Sequence, residues 1–288
     1  MNNLIQNYPI KFSQRITLLI CAFLLCLVIT TMLNALILSV TGAQSMLFIN
    51  LSIITQNILA FILPVIITTA FISAKPIEFL KLNNAPRFKH IFLMLATFIA
   101  MIPAMNYLVD WNANISLPES MKEIETLMRN AEDSAKDVTD RILNDNNIFL
   151  SILLVGMLTG LSEEVLFRGG LQRILVSKPM NIHLAIWISA FIFSAIHFQF
   201  FGFFPRLILG AFFGYFAYWS GSLWTAIIAH ALNNSSVIIA HAINNNLGYN
   251  IDNLGITSDG EIPILAIISL IITSIILYTF SKSKTPQN

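Results

Sequence analysis

IFLSILLVGMLTGLSEEVLFRGGLQRILV, residues 148–176, runs apolar for fifteen positions and then sets two glutamates side by side, Glu163 and Glu164. A helix needs about 20 apolar residues to cross a bilayer, and this stretch is long enough. A charged side chain near the bilayer centre costs about 3 kcal/mol on insertion scales and more on others, so intramembrane ionisable groups usually serve proton transfer, ions or catalysis. The stretch therefore predicts a membrane helix with a functional polar site inside it.

The rest of the chain agrees with that reading. Hydrophobic residues make up 56% of the 288 residues and charged residues 11%, and the mean hydropathy is +0.74. Such a composition excludes a soluble fold and matches an all-α polytopic membrane protein. Net charge is +1 with scattered basic residues, so no cationic stripe suits nucleic acid. Apolar runs predict about eight transmembrane helices, at 16–40, 49–73, 91–109, 148–176, 181–198, 204–219, 222–243 and 262–280. The first is too long for a signal-peptide core and reads as a retained helix. Cys21 and Cys26, the only cysteines, both lie in it and read as small core or lipid-facing residues. The whole of 1–288 reads as one transmembrane domain, with the polar motifs gathered in 148–243.

Loop charges predict orientation. Lys11 and Arg15, the group Lys75, Lys81, Arg87 and Lys89, then Arg173 with Lys178, and finally Lys282 with Lys284 all fall on one side. The positive-inside rule makes that side cytoplasmic, with both termini on it and the protein a multi-pass component of the cell (plasma) membrane. The opposite loops are acidic: 110–147 carries nine acids against four bases, and 244–261 carries Asp252, Asp259 and Glu261 with no base. Within 110–147, Met121, Ile124, Leu127 and Met128 recur at helical spacing among charges and predict an amphipathic helix at the outer interface. Gly156 with Gly160, and Gly210 with Gly214, predict close helix contacts. Pro64 and Pro103 are tolerable kinks.

Three segments then contribute polar groups to an apolar setting. Arg168 lies one turn after Glu164 on the same helix face and can pair with it, while Glu163 points away and is freer to meet a reactant. Phe193 and His197 stand four apart on the next segment. His230 and Asn234 stand four apart in GSLWTAIIAHALNN. Water held between Glu163 and His197 suits attack on a carbonyl, with His230 and Asn234 stabilising the oxyanion. The same groups admit a second use, with Glu163, His197 and His230 as zinc ligands, although no HExxH motif is present. His90 and His183 fall at cytoplasmic helix ends, His241 near the outer end of a possible pathway, and Arg206 reads as an interfacial anchor.

Taken together, EEVLFRG at 163–169, FSAIH at 193–197 and HALNN at 230–234 resemble the CPBP family of type II CAAX prenyl endopeptidases and bacterial bacteriocin-processing or abortive-infection proteins. The family signature is EExxxR, FxxxH and HxxxN on successive membrane helices, and all three elements occur here in order. The resemblance implies an intramembrane endopeptidase in which Glu163 acts as general base with His197. It implies supporting roles for Glu164, Arg168 and Phe193, and an oxyanion site at His230 and Asn234. No cofactor is expected to be required; zinc remains the alternative. The expected partners are the bilayer and a hydrophobic or lipidated peptide. Paired intramembrane acids also fit a proton- or ion-coupled carrier, and the same pocket fits a non-catalytic immunity-type protein. One expectation strains the scheme: His197 falls near the outer end of its segment, Glu163 near the middle and His230 nearer the cytoplasm. Tilt or a re-entrant FQFFGFFP turn must reconcile these depths.

Overall fold

The computed structural model describes residues 10–43, 45–145, 147–177, 180–247 and 263–285. Among them the regular elements are all helical: α1 (Phe12–Thr41), α2 (Met46–Ile72), α3 (Phe88–Ala113), α4 (Lys122–Asp145), α5 (Ile148–Val176), α6 (Ile182–Ala195), α7 (Phe203–Ser220), α8 (Leu223–Leu247) and α9 (Ile264–Lys282). Lys178 and the acids Asp252, Asp259 and Glu261, used above for orientation, lie outside the described residues.

Among the described residues, seven helices are long and apolar enough to cross a membrane by length and composition, beside the about eight expected. The exception is α6, which has 14 residues and so reaches only about 21 Å at 1.5 Å per residue. It stops at Ala195, and the chain then bends through Phe198, a non-glycine residue at φ 54°, and a 3-10 turn at Phe200–Gly202 into α7. The FQFFGFFP stretch thus forms the corner between α6 and α7.

Local chemistry sets the boundaries. Asn147 and Asn181 accept the Phe149 and His183 N–H groups at 2.8 and 2.9 Å and so cap α5 and α6. α7 ends at Gly221, whose φ of 68° is left-handed. Pro103 breaks the ladder of α3, and Ser269 of α9 repairs it, accepting the Ala104 N–H at 3.3 Å and donating to the Ala100 carbonyl at 2.5 Å. A neighbouring serine that satisfies freed backbone groups is what makes proline acceptable in lipid. Pro64 follows a π-helical stretch, Gln56–Ile62, which loosens the turn the ring would clash with.

The basic helix ends assemble at one pole. Arg15 reaches Ser177 at 3.4 Å, Asn84 donates to Gly221 O at 2.9 Å, Leu223 N–H donates to Lys81 O at 3.2 Å, and Thr285 N–H donates to Trp219 O at 2.8 Å. The starts of α1, α3, α6 and α8 and the ends of α2, α5, α7 and α9 therefore share a face. His90 belongs to this pole but is buried rather than interfacial, with Nε2 2.9 Å from Ser283 O and its ring stacked on Phe280.

The opposite pole carries α4, the expected amphipathic helix. Its inward contacts are mixed: Glu125 and Ile142 are buried, and Arg129 lies over the Phe201 ring at 4.0 Å. Ile124 and Leu127 are exposed, the disposition of an interfacial helix whose apolar side is left for lipid. His241, expected to line a pathway, instead sits 3.1 Å from Asn144 near the end of α4.

The two glycine pairs both act in packing. A Cβ on Gly160 would come within 2.9 Å of the Ala231 backbone, so this pair lets α5 press against α8. Gly210 and Gly214 instead let α7 approach side chains of α5, exposing their carbonyls to Arg168 and Gln172. Cys21 and Cys26 are free thiols, exposed and buried respectively.

Candidate active site

Glu163 and Glu164 come at the end of an α-helical segment, Thr159–Glu164, and a π-helical stretch, Val165–Gln172, follows directly. Widened turns of this kind recur at functional sites because the extra residue re-aims side chains. A polar tie from α2 holds this part of α5: Asn57 donates to Thr159 Oγ1 at 3.2 Å, and Ser162 donates a short hydrogen bond to Asn57 Oδ1. Asn57, buried in the second span, is a supporting residue that apolar-run scanning passes over.

Glu164 is fully buried, and its Oε1 accepts from Arg168 Nη1 at 2.7 Å and from His230 Nδ1 at 2.8 Å. Arg168 spends Nη2 on the Gly210 carbonyl at 2.7 Å and lies over the Phe193 ring at 4.7 Å. The expected Glu164–Arg168 pair is therefore present, and it fixes α5 against α7. Glu163 faces the other way. Its nearest nitrogens are His230 Nε2 at 3.6 Å and His197 Nε2 at 4.0 Å, both too long for direct hydrogen bonds.

The two imidazoles are oriented alike. His197 has Nδ1 2.8 Å from Phe193 O, and a carbonyl only accepts, so Nδ1 carries the proton and Nε2 of the neutral ring is a lone pair. His230 has Nδ1 against the Glu164 carboxylate. Both rings are thus tied back through Nδ1, and both present Nε2 to Glu163. Phe193 packs edge-on against His197 at 5.2 Å and against His230 at 5.8 Å, holding the two rings together. His197, 25% exposed against 8% for Glu163 and 5% for His230, is the most accessible of the three.

Depth is reconciled by the fold. Because α6 is short and enters from the basic pole, His197, two residues past its end, reaches the level of Glu163 on α5. His230 meets them because α8 starts recessed, with Ser222 and Leu223 buried at its first turn.

Asn234 is the site residue least engaged with this cluster. Its Nδ2 donates to Val155 O at 3.1 Å and its Oδ1 accepts from Asn233. Two further neighbours escaped the sequence reading. Phe213 stacks on His230 at 4.7 Å, and nothing in the aromatic run GAFFGYF marks it out. Arg206, expected at the interface, is half-buried, donates to Gln199 Oε1 at 2.6 Å, and interacts electrostatically with Glu163 and His197. It stands beside the site because the corner between α6 and α7 folds the start of α7 inward.

Among the described residues no three His, Cys, Asp or Glu side chains are grouped to hold an ion, and Glu163, His197 and His230 are no exception. What the geometry offers instead is a carboxylate facing two ring nitrogens across gaps of one water's width.

Comparison with known proteins agrees with the motifs. Residues 145–236 match the family model described as Type II CAAX prenyl endopeptidase Rce1-like, a segment that contains Glu163, His197, His230 and Asn234. No curated protein and no solved structure matches the chain. Over residues 145–236 the multi-pass helical chain thus matches the Rce1-like type II CAAX prenyl endopeptidase model, in agreement with the CPBP family its three motifs resemble.

Proposed function

We propose that the protein is an intramembrane endopeptidase that hydrolyses a peptide bond of a hydrophobic or lipid-anchored substrate with water activated by Glu163 and His197. The supporting observation is the 4.0 Å separation of His197 Nε2 and Glu163 Oε1. Atoms that far apart can each hydrogen-bond one water at about 2.8 Å. In this reading the water donates one proton to Glu163 and its other hydrogen bond to His197 Nε2 as its oxygen attacks the scissile carbonyl carbon. The proton taken by Glu163 passes to the leaving amine, so the products are a carboxylate and an amine. Doubly protonated between the Glu164 and Glu163 side chains, His230 donates from Nε2 to the developing oxyanion, with Asn234 one turn away as a weaker contributor. The chain sits in the plasma membrane with its basic pole and both termini cytoplasmic, following the loop charges.

The test is cleavage of a hydrophobic or prenylated peptide by purified protein in liposomes. Glu163→Gln keeps the shape and removes the base; activity is expected to fall by about three orders of magnitude or more, with the thermal midpoint unchanged. A variant that cleaves at the original rate rules out this mechanism. Gradient-dependent ion flux without peptide products would instead mark a carrier. Metal chelation is expected to leave the rate within a factor of about two, since no step here uses a Lewis acid; loss on chelation with recovery on adding zinc would reverse that.

A further inference from the structure

At the basic pole, helix ends enclose a cavity of about 210 Å³. Its polar lining is Lys81, Arg168, Gln172 and Arg173; Val176 and Tyr218 are among its apolar walls, and no acid is among its described lining residues. Arg168 is already neutralised by Glu164. Arg173 is not comparably engaged: its Nε and Nη2 are buried without a hydrogen-bond partner among the described residues, and its guanidinium lies over the Phe79 ring at 5.3 Å. The nearby acid Glu78 is paired with Lys75 at 3.0 Å. Buried donors normally find partners, so two orphaned nitrogens on a guanidinium side chain that lines a cavity point to a missing acceptor.

Lys81 completes the site. Its backbone is left-handed, φ 57°, and its carbonyl is anchored by the Leu223 N–H. A non-glycine residue held in that region is strain that the surrounding fold must sustain, and such strain clusters at ligand sites. Burial, then the charge of Arg173, pushes the Lys81 ammonium below its ordinary range, with Glu78 opposing. A bound anion would relieve both effects. The plain alternative is that Arg173 simply complements the carbonyl end of α5, but its unpartnered nitrogens do not reach those carbonyls.

We infer that Arg173 and Lys81 form a binding site for a phosphate group at the basic pole of the bundle. The cavity is below the ~300–1,000 Å³ of pockets for drug-sized ligands and suits a headgroup-sized anion. Arg173 presents its planar fork to phosphate oxygens and Lys81 a point charge. Gln172 Oε1, also buried and unpartnered, accepts from a hydroxyl beside the phosphate. Anionic lipid headgroups and free phosphate share this chemistry.

Native mass spectrometry of the full chain in phosphate-free detergent tests it, with phosphatidylglycerol, phosphatidylcholine or inorganic phosphate added and the unfolding midpoint read in parallel. Phosphatidylglycerol should be retained in preference to phosphatidylcholine, and Lys81→Gln and Arg173→Gln should each weaken retention by about tenfold, the scale of a lost charge-assisted contact. A midpoint raised by inorganic phosphate alone in the wild type, and not in Lys81→Gln, assigns the site to free phosphate. Equal retention of both lipids with no phosphate effect, or retention unchanged in both variants, overturns the proposal. Should Arg173→Gln fail to fold, Lys81→Gln carries the test.

Discussion

The chain contains the same Glu–Arg pair, four residues apart, in two very different places. On α4 at the acidic pole, Glu125 pairs with Arg129, whose side chain is 42% exposed; in the middle of α5, Glu164 pairs with Arg168 and both are 0% exposed. Spacing makes the two pairs equivalent as sequence. Surroundings make one an adjustable strap and the other a fixed part of the interior. Water reaches the exposed Arg129 and screens the outer pair in part. The inner pair has no such substitute, since the loss of one member leaves an uncompensated charge in an apolar medium.

The largest effect should come from breaking the inner pair. Glu164→Ala strands Arg168 and also removes the acceptor of His230 Nδ1, and a broken buried pair costs about 3–5 kcal/mol. A large fall in the thermal midpoint, together with loss of cleavage, is expected. The double variant Glu164→Leu with Arg168→Met removes both charges and should recover most of the stability without recovering cleavage, because His230 stays unanchored. Recovery of cleavage by that double variant would show that the pair only holds helices together.

The inner pair also shows what the sequence could disclose. The motif spacings put Glu164 beside Arg168 and Phe193 beside His197, because helical periodicity governs contacts within one element. The convergence of α5, α6 and α8 on Glu163 followed from the apolar setting and from motif order, not from spacing. Periodicity could not show that α6 stops at 14 residues, since 181–198 is apolar throughout and its end depends on the bend at Phe198. Phe213, Asn57 and Arg206 were missed for a related reason. Phe213 and Arg206 reach the site from α7 and Asn57 from α2, outside the three motif segments, and an aromatic or amide in an apolar run gives no local signal. Asn234, one turn after His230, has its amide tied to the Val155 carbonyl of α5, a contact its motif does not disclose.

That contrast predicts a graded effect among groups around the inner pair. His230→Ala removes the ring that connects Glu164 to Glu163 and should lower the turnover rate by about 10²–10³, the range for losing one oxyanion donor. Asn234→Ala should cost at most about tenfold, a weak hydrogen bond's worth. Rates for the two variants, measured at saturating substrate in the same liposomes, separate the roles. Equal losses would return Asn234 to a full share of the oxyanion site.

The smallest effect belongs to the outer pair, and it depends on pH. The hydrogen bond from Arg129 holds the Glu125 carboxyl below its usual range, against the opposing effect of burial. A group whose folded pKa is depressed contributes stability above its unfolded pKa and loses it as pH falls through the folded value. The strap should therefore be intact at neutral pH and weaken below about pH 4.3, the ordinary glutamate value. Glu125 Oε2 also accepts the Leu117 N–H at 3.1 Å, and Arg129 donates to Ile115 O at 3.1 Å. Protonation therefore frees the segment before α4 as well as the salt bridge. Amide exchange in 115–129, corrected for its intrinsic pH dependence, should accelerate modestly across that window in the wild type and show no step in Arg129→Gln. Because Arg129 also lies over Phe201 in the corner that follows His197, a cleavage rate that falls in step with this exchange would tie the outer pair to the catalytic turn. A rate that ignores it would confine the strap to holding α4.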